Sequence, residues 1–310
     1  MTRLVLVSTL LIAGLASLTS TNANAQGAPL PAPPGAPLPA PPQIAPSYAP
    51  AELDRIVSPI ALYPDPLLGQ ILTAATFSPE IPDAARWSDQ HHYVPPAELP
   101  ATIAADRLPW QPSVQALLPF PQVLDMMASA MPWTEELGGA FLASPQPVMD
   151  AVQRMRHQAY DYGYLRSSPQ VAVHNGPFIE ILPVDPGVIV VPYYSPTVVF
   201  AAPRPGFVVG SAIRFGYGVR LGVAFAPWGW GSTRFEWGPQ RLIVNNAPWG
   251  RTWANRTVYV HPYTAVPRYA ERRPAPEQHV VHVRSDRERE AERNGREHAE
   301  EHKRKDDRRP

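Results

Sequence analysis

The clearest pattern of apolar positions lies in residues 53–75, where two amphipathic segments meet at a Pro-Asp-Pro corner. Apolar residues recur there at spacings of three and four, which places them on one face of a helix. At the corner, Asp65 offers an N-cap oxygen, and Pro66 suits the first turn of a second helix. We therefore expect two short helices, with apolar faces formed by Leu53, Ile56, Val57, Ile60 and Ala61, and by Leu67, Leu68, Ile71, Leu72 and Ala75.

Up to about residue 165, the helical spacing continues in short segments that are interrupted by proline. Proline ends one helix and fits the first turn of the next, so about seven short helices are expected. The clearest begins after Ser144-Pro145, where Val148, Val152, Met155 and Ala159 share one face. We expect large aromatic side chains to anchor the core of this module, namely Trp87, Trp110, Trp133 and Phe141.

Beyond the helical module, the apolar spacing changes to a period of two, which is typical of strands. The runs 171–173 and 178–182 flank His174-Asn175-Gly176, and Asn-Gly between such runs is a strong hairpin signal. Further runs at 188–191 and 197–200 are also expected to be strands. The sequence thus predicts an α+β fold, in which an N-terminal module of short α-helices is followed by a small antiparallel β unit.

The stretch 213–225 alternates bulky residues at odd positions with small or charged residues at even positions. This pattern favours a strand or hairpin with one bulky face. A competing interpretation is a membrane helix with close contacts at Gly206/Gly210 and Gly218/Gly222. Since Arg214 and Arg220 would be costly in a bilayer, we favour the strand.

Both ends of the chain differ from its middle. Residues 1–25 combine Arg3, an apolar run and the small-residue site Ala23-Asn24-Ala25, which is typical of a signal peptide cleaved before Gln26. A retained anchor is the alternative. Residues 27–42 repeat GAPLPAPP twice, which favours an extended spacer. We expect an exported protein of the bacterial periplasm or cell surface, with disordered Pro-rich and charged flanks.

The overall composition narrows the possible partners and sites. The chain has no cysteine, which excludes disulfides, cysteine nucleophiles and cysteine metal ligands. With 27 basic and 27 acidic residues, it has no net charge to attract nucleic acid. We expect neither a nucleic-acid partner nor a stable transmembrane segment after signal cleavage.

The expected segments are a signal peptide (1–25), a Pro/Ala-rich linker (26–50), an α-helical module (51–166), a β-hairpin unit (167–205), a Gly/Trp-rich β segment (206–265) and a charged disordered tail (266–310).

Five segments carry a family resemblance: ALYPDPLLGQIL, AARW, WTEELGGAFL, VMDAVQRMR and IEILPVDPGVIVVPYYSPTVVF. In this order they resemble the bacterial family of exported proteins known as domain of unknown function 3300, over about residues 52–200. The resemblance implies export and a folded domain in this range. It supplies no activity, cofactor or catalytic residue.

The Gly/Trp-rich segment is the first candidate for a binding site. Aromatic faces stack on sugar rings, and arginine binds phosphate or carboxylate, so this segment could hold an envelope glycan. The alternative is that its tryptophans form the core of a small β structure. The candidate binding residues are Trp228, Trp230, Trp237, Trp249 and Trp253, with the interleaved Arg234, Arg241 and Arg251.

The cluster Asp89-Gln90-His91-His92 is the candidate metal site. Adjacent histidines point apart on a helix or strand, so zinc or copper would need a further ligand, for which Glu98 is the candidate. A polar connection between elements explains the same residues. The nucleotide, serine-hydrolase and zinc-protease motifs are missing. We therefore expect no cofactor and leave catalysis undecided.

Three functions remain open from the sequence. The first is non-catalytic binding or scaffolding of envelope glycan or protein. The second is an enzyme of unrecognised type, which uses histidines and carboxylates of the helical module. The third is self-assembly into a surface structure through residues 213–225. A pocket with His91, His92 and a carboxylate would favour the enzyme, whereas a long open strand edge would favour assembly.

Overall fold

The computed structural model describes residues 44–203 and 212–263. The chain divides into two units, residues 1–44 and 45–310, and every helix and strand of the described residues belongs to the second unit. Several sequence predictions lie outside the described residues. These are the signal peptide, the linker up to residue 43, the contacts of Gly206 and Gly210, and the charged tail.

Short helices form most of the region up to residue 161, as the proline spacing predicts. Each α-helix in the described ranges has a proline at its first or second position, where no backbone donor is needed. Two 3-10 helices cover Ser78–Glu80 and Val223–Trp228. The α-helices are α1 Pro50–Val57, α2 Asp65–Ala75, α3 Ile81–Gln90, α4 Leu99–Asp106, α5 Pro112–Gln115, α6 Pro121–Ser129, α7 Met131–Ala143, α8 Pro145–Asp161 and α9 Pro196–Val199.

The strands are short and antiparallel, which confirms the predicted α+β class. Strand β1 (Val171–Asn175) pairs with β2 (Ile179–Pro183), so the hairpin is present, but its strands include His174 and Asn175. The remaining sheets are small. They consist of β3 (Val188–Ile189) with β6 (Val219–Arg220), β4 (Pro192–Tyr193) with β5 (Arg214–Phe215), and β7 (Arg234–Glu236) with β8 (Arg241–Val244) and β9 (Ala247–Pro248).

Two local predictions are wrong. Residues 197–200 are not a strand, because Pro196 starts the helical turn α9 and Val199 N–H donates to the Ser195 carbonyl. Asp65 is not the cap of α2. The N-cap is Pro64, and the Asp65 side chain makes no capping hydrogen bond. Its carboxylate is used in the core instead.

A buried polar cluster joins the helices to the β segments. The Arg156 guanidinium on α8 lies 2.6 Å from the Asp65 carboxylate and donates to the carbonyls of Ala61, Tyr63 and Ile179. Trp237 Nε1 donates to the other carboxylate oxygen, at 3.0 Å. The cluster therefore fixes α2, α8, β2 and the Gly/Trp-rich segment to one another.

Residues 213–225 contain two strands of two residues each, followed by a 3-10 turn. These two strands pair with β4 and β3 rather than with each other. Most odd-numbered side chains are at least half-buried, but Tyr217 is 99% exposed and Val223 is 94% exposed. Tyr217 lines one cleft, and Val223 lines another.

Within residues 44–203 and 212–263, none of the helices has the length and apolar character that crossing a bilayer requires.

Candidate binding cleft

The Gly/Trp-rich segment packs against the helical module. Trp228, Trp230, Trp237 and Trp249 are all buried. Two of their indole N–H groups form hydrogen bonds to the helical module. Trp228 Nε1 donates to Gln115 Oε1, and Trp230 Nε1 donates to the Ala116 carbonyl. A buried ring offers no open face for a sugar, so these four side chains act in the core of the protein.

The other candidate residues of this segment lie at its surface or in loops. Arg251 donates to the Thr76 and Arg256 carbonyls and lies over the Phe77 ring at 3.6 Å. Burial lowers its pKa to about 10, so it stays charged at neutral pH. Trp253 is half-buried beneath the Arg256 guanidinium. The eight residues predicted to bind a ligand therefore do not form one exposed surface, since four of them are buried.

The predicted metal residues lie elsewhere, in a cleft of about 530 Å³. His91 and His92 follow the last turn of α3 and line this cleft. Its lining also includes Tyr193 of β4 and Tyr217 of the β5–β6 connection. We call this the His/Tyr cleft. Its lining comes both from the helical module and from the strands and connection at β4–β6.

The ring of His91 contacts neighbouring protein groups through its face and through both of its nitrogens. Its ring stacks on Trp87 with centroids 4.0 Å apart, and Nδ1 lies 2.8 Å from the Trp87 carbonyl oxygen. Nε2 faces Asp106 Oδ2 at 3.8 Å, and that oxygen also accepts from Trp87 Nε1. Both ring nitrogens of His91 are thus directed at protein groups.

His92 has one nitrogen available for a ligand. Its Nδ1 lies 2.5 Å from the Asp89 carbonyl oxygen. A carbonyl only accepts, so Nδ1 carries the proton and Nε2 of the neutral ring is an acceptor. Since His92 is exposed, this acceptor meets solvent at the cleft and could receive a hydrogen bond from a ligand hydroxyl.

Two glycines beside the cleft allow the backbone to approach its neighbours closely. A Cβ on Gly216 would lie 3.0 Å from Tyr193 Cε2, so the Tyr193 ring rests against the Gly216 backbone. A Cβ on Gly218 would lie 2.3 Å from Val188 Cγ1, so this glycine permits β6 to approach β3. The Gly-Tyr-Gly sequence therefore brings the backbone close to its neighbours and leaves the Tyr217 ring in solvent.

Three tyrosines at or beside the cleft are exposed to an unusual degree. Tyr93 is 72% exposed, Tyr193 50% and Tyr217 99%. Tyr93 also contacts the rings of His91 and His92, with centroids 6.3 and 6.0 Å away. Large aromatic side chains are mostly buried in soluble proteins. Sequence analysis missed these residues, although Tyr217 stands between two glycines in an alternating pattern.

The described part of the chain contains no group of three or more His, Asp or Glu side chains placed to hold a metal ion. Glu98, expected as a possible further ligand, is exposed in the turn before α4. The carboxylate that faces His91 is that of Asp106, which is already a hydrogen-bond acceptor for Trp87. The lining of the His/Tyr cleft combines histidine and tyrosine rings with apolar side chains, among them Val94, Leu99 and Leu118.

Comparison with known proteins places the chain in a family. It matches the family described as "Protein of unknown function (DUF3300)" over residues 49–282, and it belongs to this family, as its motifs predict. It is also 35% identical over 188 residues to "Uncharacterized protein YacH" of Escherichia coli (strain K12). That match covers 50% of this chain and 30% of YacH, so the chain spans under a third of this relative. No solved structure matches the chain.

Proposed function

We propose that this protein is a non-catalytic binding protein of the bacterial envelope, and that it holds a glycan in the His/Tyr cleft. The observation that carries the proposal is that exposed Tyr193 and Tyr217 line the same cleft as His91 and His92. Sugar rings present apolar C–H faces and a rim of hydroxyls. Exposed aromatic rings complement the faces, and His92 Nε2 complements a hydroxyl.

The dimensions of the cleft support this proposal. A volume of about 530 Å³ lies within the usual range for sites of small ligands. Further polar groups lie in its lining, among them Gln122. Envelope localisation is supported by the signal-like sequence of residues 1–25, which remains a prediction.

The contacts of His91 argue against its ring as a general base in the cleft. A general base needs a nitrogen lone pair directed at the substrate. In His91 one nitrogen faces a carbonyl and the other faces Asp106, so neither is directed at a ligand in the cleft. Self-assembly through residues 213–225 is supported less well, because the strands there are only two residues long and already paired.

Sedimentation with purified, insoluble peptidoglycan tests the proposal. The exported chain, from Gln26 onward, is expected to bind, and Tyr217→Ala should weaken binding at least about fivefold, as for an aromatic residue central to an interface. Tyr193→Ala should do the same. Val260→Ala is the matched control, because Val260 is also exposed but lies outside the cleft lining. Equal retention of all four proteins, or retention of none, would refute the proposal.

A further inference from the structure

A second cleft has a different chemistry. Its volume is about 500 Å³, and it lies between Pro66 at the start of α2, Leu182 in β2, Leu221 after β6, and Trp230. Exposed Val223 is part of the lining. We call it the apolar cleft. None of the residues lining the His/Tyr cleft lines it, so the two clefts can be tested separately.

Polar side-chain groups in the lining of the apolar cleft already form hydrogen bonds within the protein. The Thr233 hydroxyl donates to the Gly229 carbonyl and accepts from Gln70 Nε2. Trp230 Nε1 donates to Ala116. These side-chain groups would therefore keep their hydrogen-bond partners when the apolar surface of a ligand is buried here.

Arg234 contributes the one charged side chain in the lining that the structure describes. Its guanidinium lies 3.8 Å from Glu236, which is too far for a hydrogen bond. Glu236 instead accepts two hydrogen bonds from Arg241, at 2.7 and 3.2 Å. Two arginines thus share one carboxylate, which leaves a net positive charge at the Arg234 rim.

A second charged pair, next to Pro186 and Gly187 of the lining, is electrically balanced. Asp185 accepts from Arg220 at 3.1 Å and from the Gly187 N–H at 2.9 Å. An anion bound near Arg234 is therefore not opposed by an unpaired carboxylate of Asp185. The charge pattern complements a ligand with an apolar body and one anionic end.

We propose that the apolar cleft binds a single amphiphilic anion, which consists of an acyl chain with a terminal carboxylate. The chain lies against Leu182, Leu221 and Val223, and the carboxylate lies against the Arg234 guanidinium. The ligand is a free monomer rather than a membrane surface, because the apolar groups line a cavity and do not form a flat patch.

Calorimetric titration with three ligands of equal chain length tests this proposal: dodecanoate, dodecan-1-ol and dodecylammonium, each below its aggregation limit. Dodecanoate is expected to bind about two- to fivefold more tightly than the alcohol, the range for a partly exposed charge pair. The ammonium ion should bind most weakly. Arg234→Gln should remove the preference for dodecanoate over the alcohol.

Two kinds of variant separate the charge from the cavity. Val223→Asp and Val223→Lys change one exposed position with opposite sign, so dodecanoate affinity should fall about two- to fivefold in the first and rise in the second. Gly222→Phe should weaken both dodecanoate and the alcohol at least tenfold. Gly222 has φ −77° and a Cβ there meets nothing within 4 Å, so the backbone at this position accepts a side chain. Val258→Asp, at an exposed site outside the lining, is the control.

Three results would overturn the proposal. The first is the absence of binding by any monomeric ligand. The second is an equal affinity for all three ligands that Arg234→Gln and the Val223 pair leave unchanged. The third is binding to anionic lipid vesicles without binding to dodecanoate, which would assign this face to a membrane surface. If Gly222→Phe lowers the melting temperature, the Arg234 and Val223 variants still decide the question.

Discussion

The carboxylate of Asp65 lies 2.6 Å from the guanidinium of Arg156 at a point where neither side chain is more than 4% exposed. The Arg156 guanidinium also donates to three carbonyls and lies 5.1 Å from the centre of the Trp237 ring. Charges this deeply buried are tolerated because each is paired and hydrogen-bonded. The pair thus secures the arrangement of α2, α8 and the Gly/Trp-rich segment, which in turn positions both clefts.

Arg156→Met should destabilise the protein by about 3–5 kcal/mol, because it leaves the Asp65 carboxylate buried without its cation. The free energy of unfolding from urea titration measures this change. Arg154→Met is a matched control on the same helix: Arg154 also pairs with an aspartate, Asp54, but its side chain is 42% exposed. The control should cost less than about 1 kcal/mol. Similar losses in both variants would show that burial of the pair is unimportant.

Trp237→Phe keeps an aromatic ring beside Arg156 and removes the donor to Asp65. A hydrogen bond to a charged group contributes about 1.5–3 kcal/mol, against about 0.5–1.5 kcal/mol for a neutral one. Trp230→Phe is the comparison, since Trp230 Nε1 donates to a neutral carbonyl. We expect the Trp237 variant to lose more stability in the same urea titration. The reverse order would contradict the assigned hydrogen bond.

Gly138 and Gly139 are neighbours on α7 with opposite surroundings. A Cβ on Gly138 would lie 2.0 Å from the Ala75 backbone oxygen, whereas one on Gly139 would meet the movable Tyr48 hydroxyl at 3.2 Å. Gly138→Ala should therefore force α2 and α7 apart and cost more than about 2 kcal/mol. Gly139→Ala should be neutral or gain up to about 1 kcal/mol from helix propensity. Melting temperatures of the two variants test the helix packing.

Stability should fall in alkaline solution because burial raises the pKa of Tyr63, Tyr194 and Tyr263. An unfolded tyrosine loses its proton near pH 10, while these folded groups hold theirs. Above pH 10 the folded state therefore binds more protons, and the free energy of unfolding decreases as pH rises. The contribution is fully present below pH 10.

The Tyr263→Phe variant isolates one of these groups. The Tyr263 hydroxyl donates to Gln70 Oε1 at 3.0 Å, so its loss should cost about 1–2 kcal/mol at pH 8. This deficit should shrink between pH 10 and 12, because only the wild type loses stability by ionising this side chain when unfolded. A constant deficit across urea titrations at pH 8–12 would contradict the inferred pKa direction.

The sequence predicted those elements whose cause is local. Apolar spacing and proline positions identified α2 and α8, and the period of two identified the β1–β2 hairpin. The strand assigned to residues 197–200 was wrong because Ser195-Pro196, a local helix-start signal, was given less weight than the apolar run.

Long-range partners decided the rest. The Pro-Asp-Pro corner predicts that Asp65 caps a helix. Its partners Arg156 and Trp237 are distant in the chain, the latter by 172 positions. No periodicity reveals such a pairing. The His/Tyr cleft arises in the same way, since His92 and Tyr217 come from separate parts of the chain. The sequence identified His91 and His92 as candidates, but it did not show which side chains face them.

Nuclear magnetic resonance tests most directly whether a glycan binds the protein at the His/Tyr cleft. Soluble peptidoglycan fragments would be titrated into the chain from Gln26 onward while the ring signals of its tyrosines and histidines and the indole N–H signals of its tryptophans are followed. We predict concentration-dependent shifts at Tyr193, Tyr217 and His92, with the buried Trp228 and Trp230 unchanged. Shifts confined to Trp253, or no shift at saturating fragment, would contradict the account.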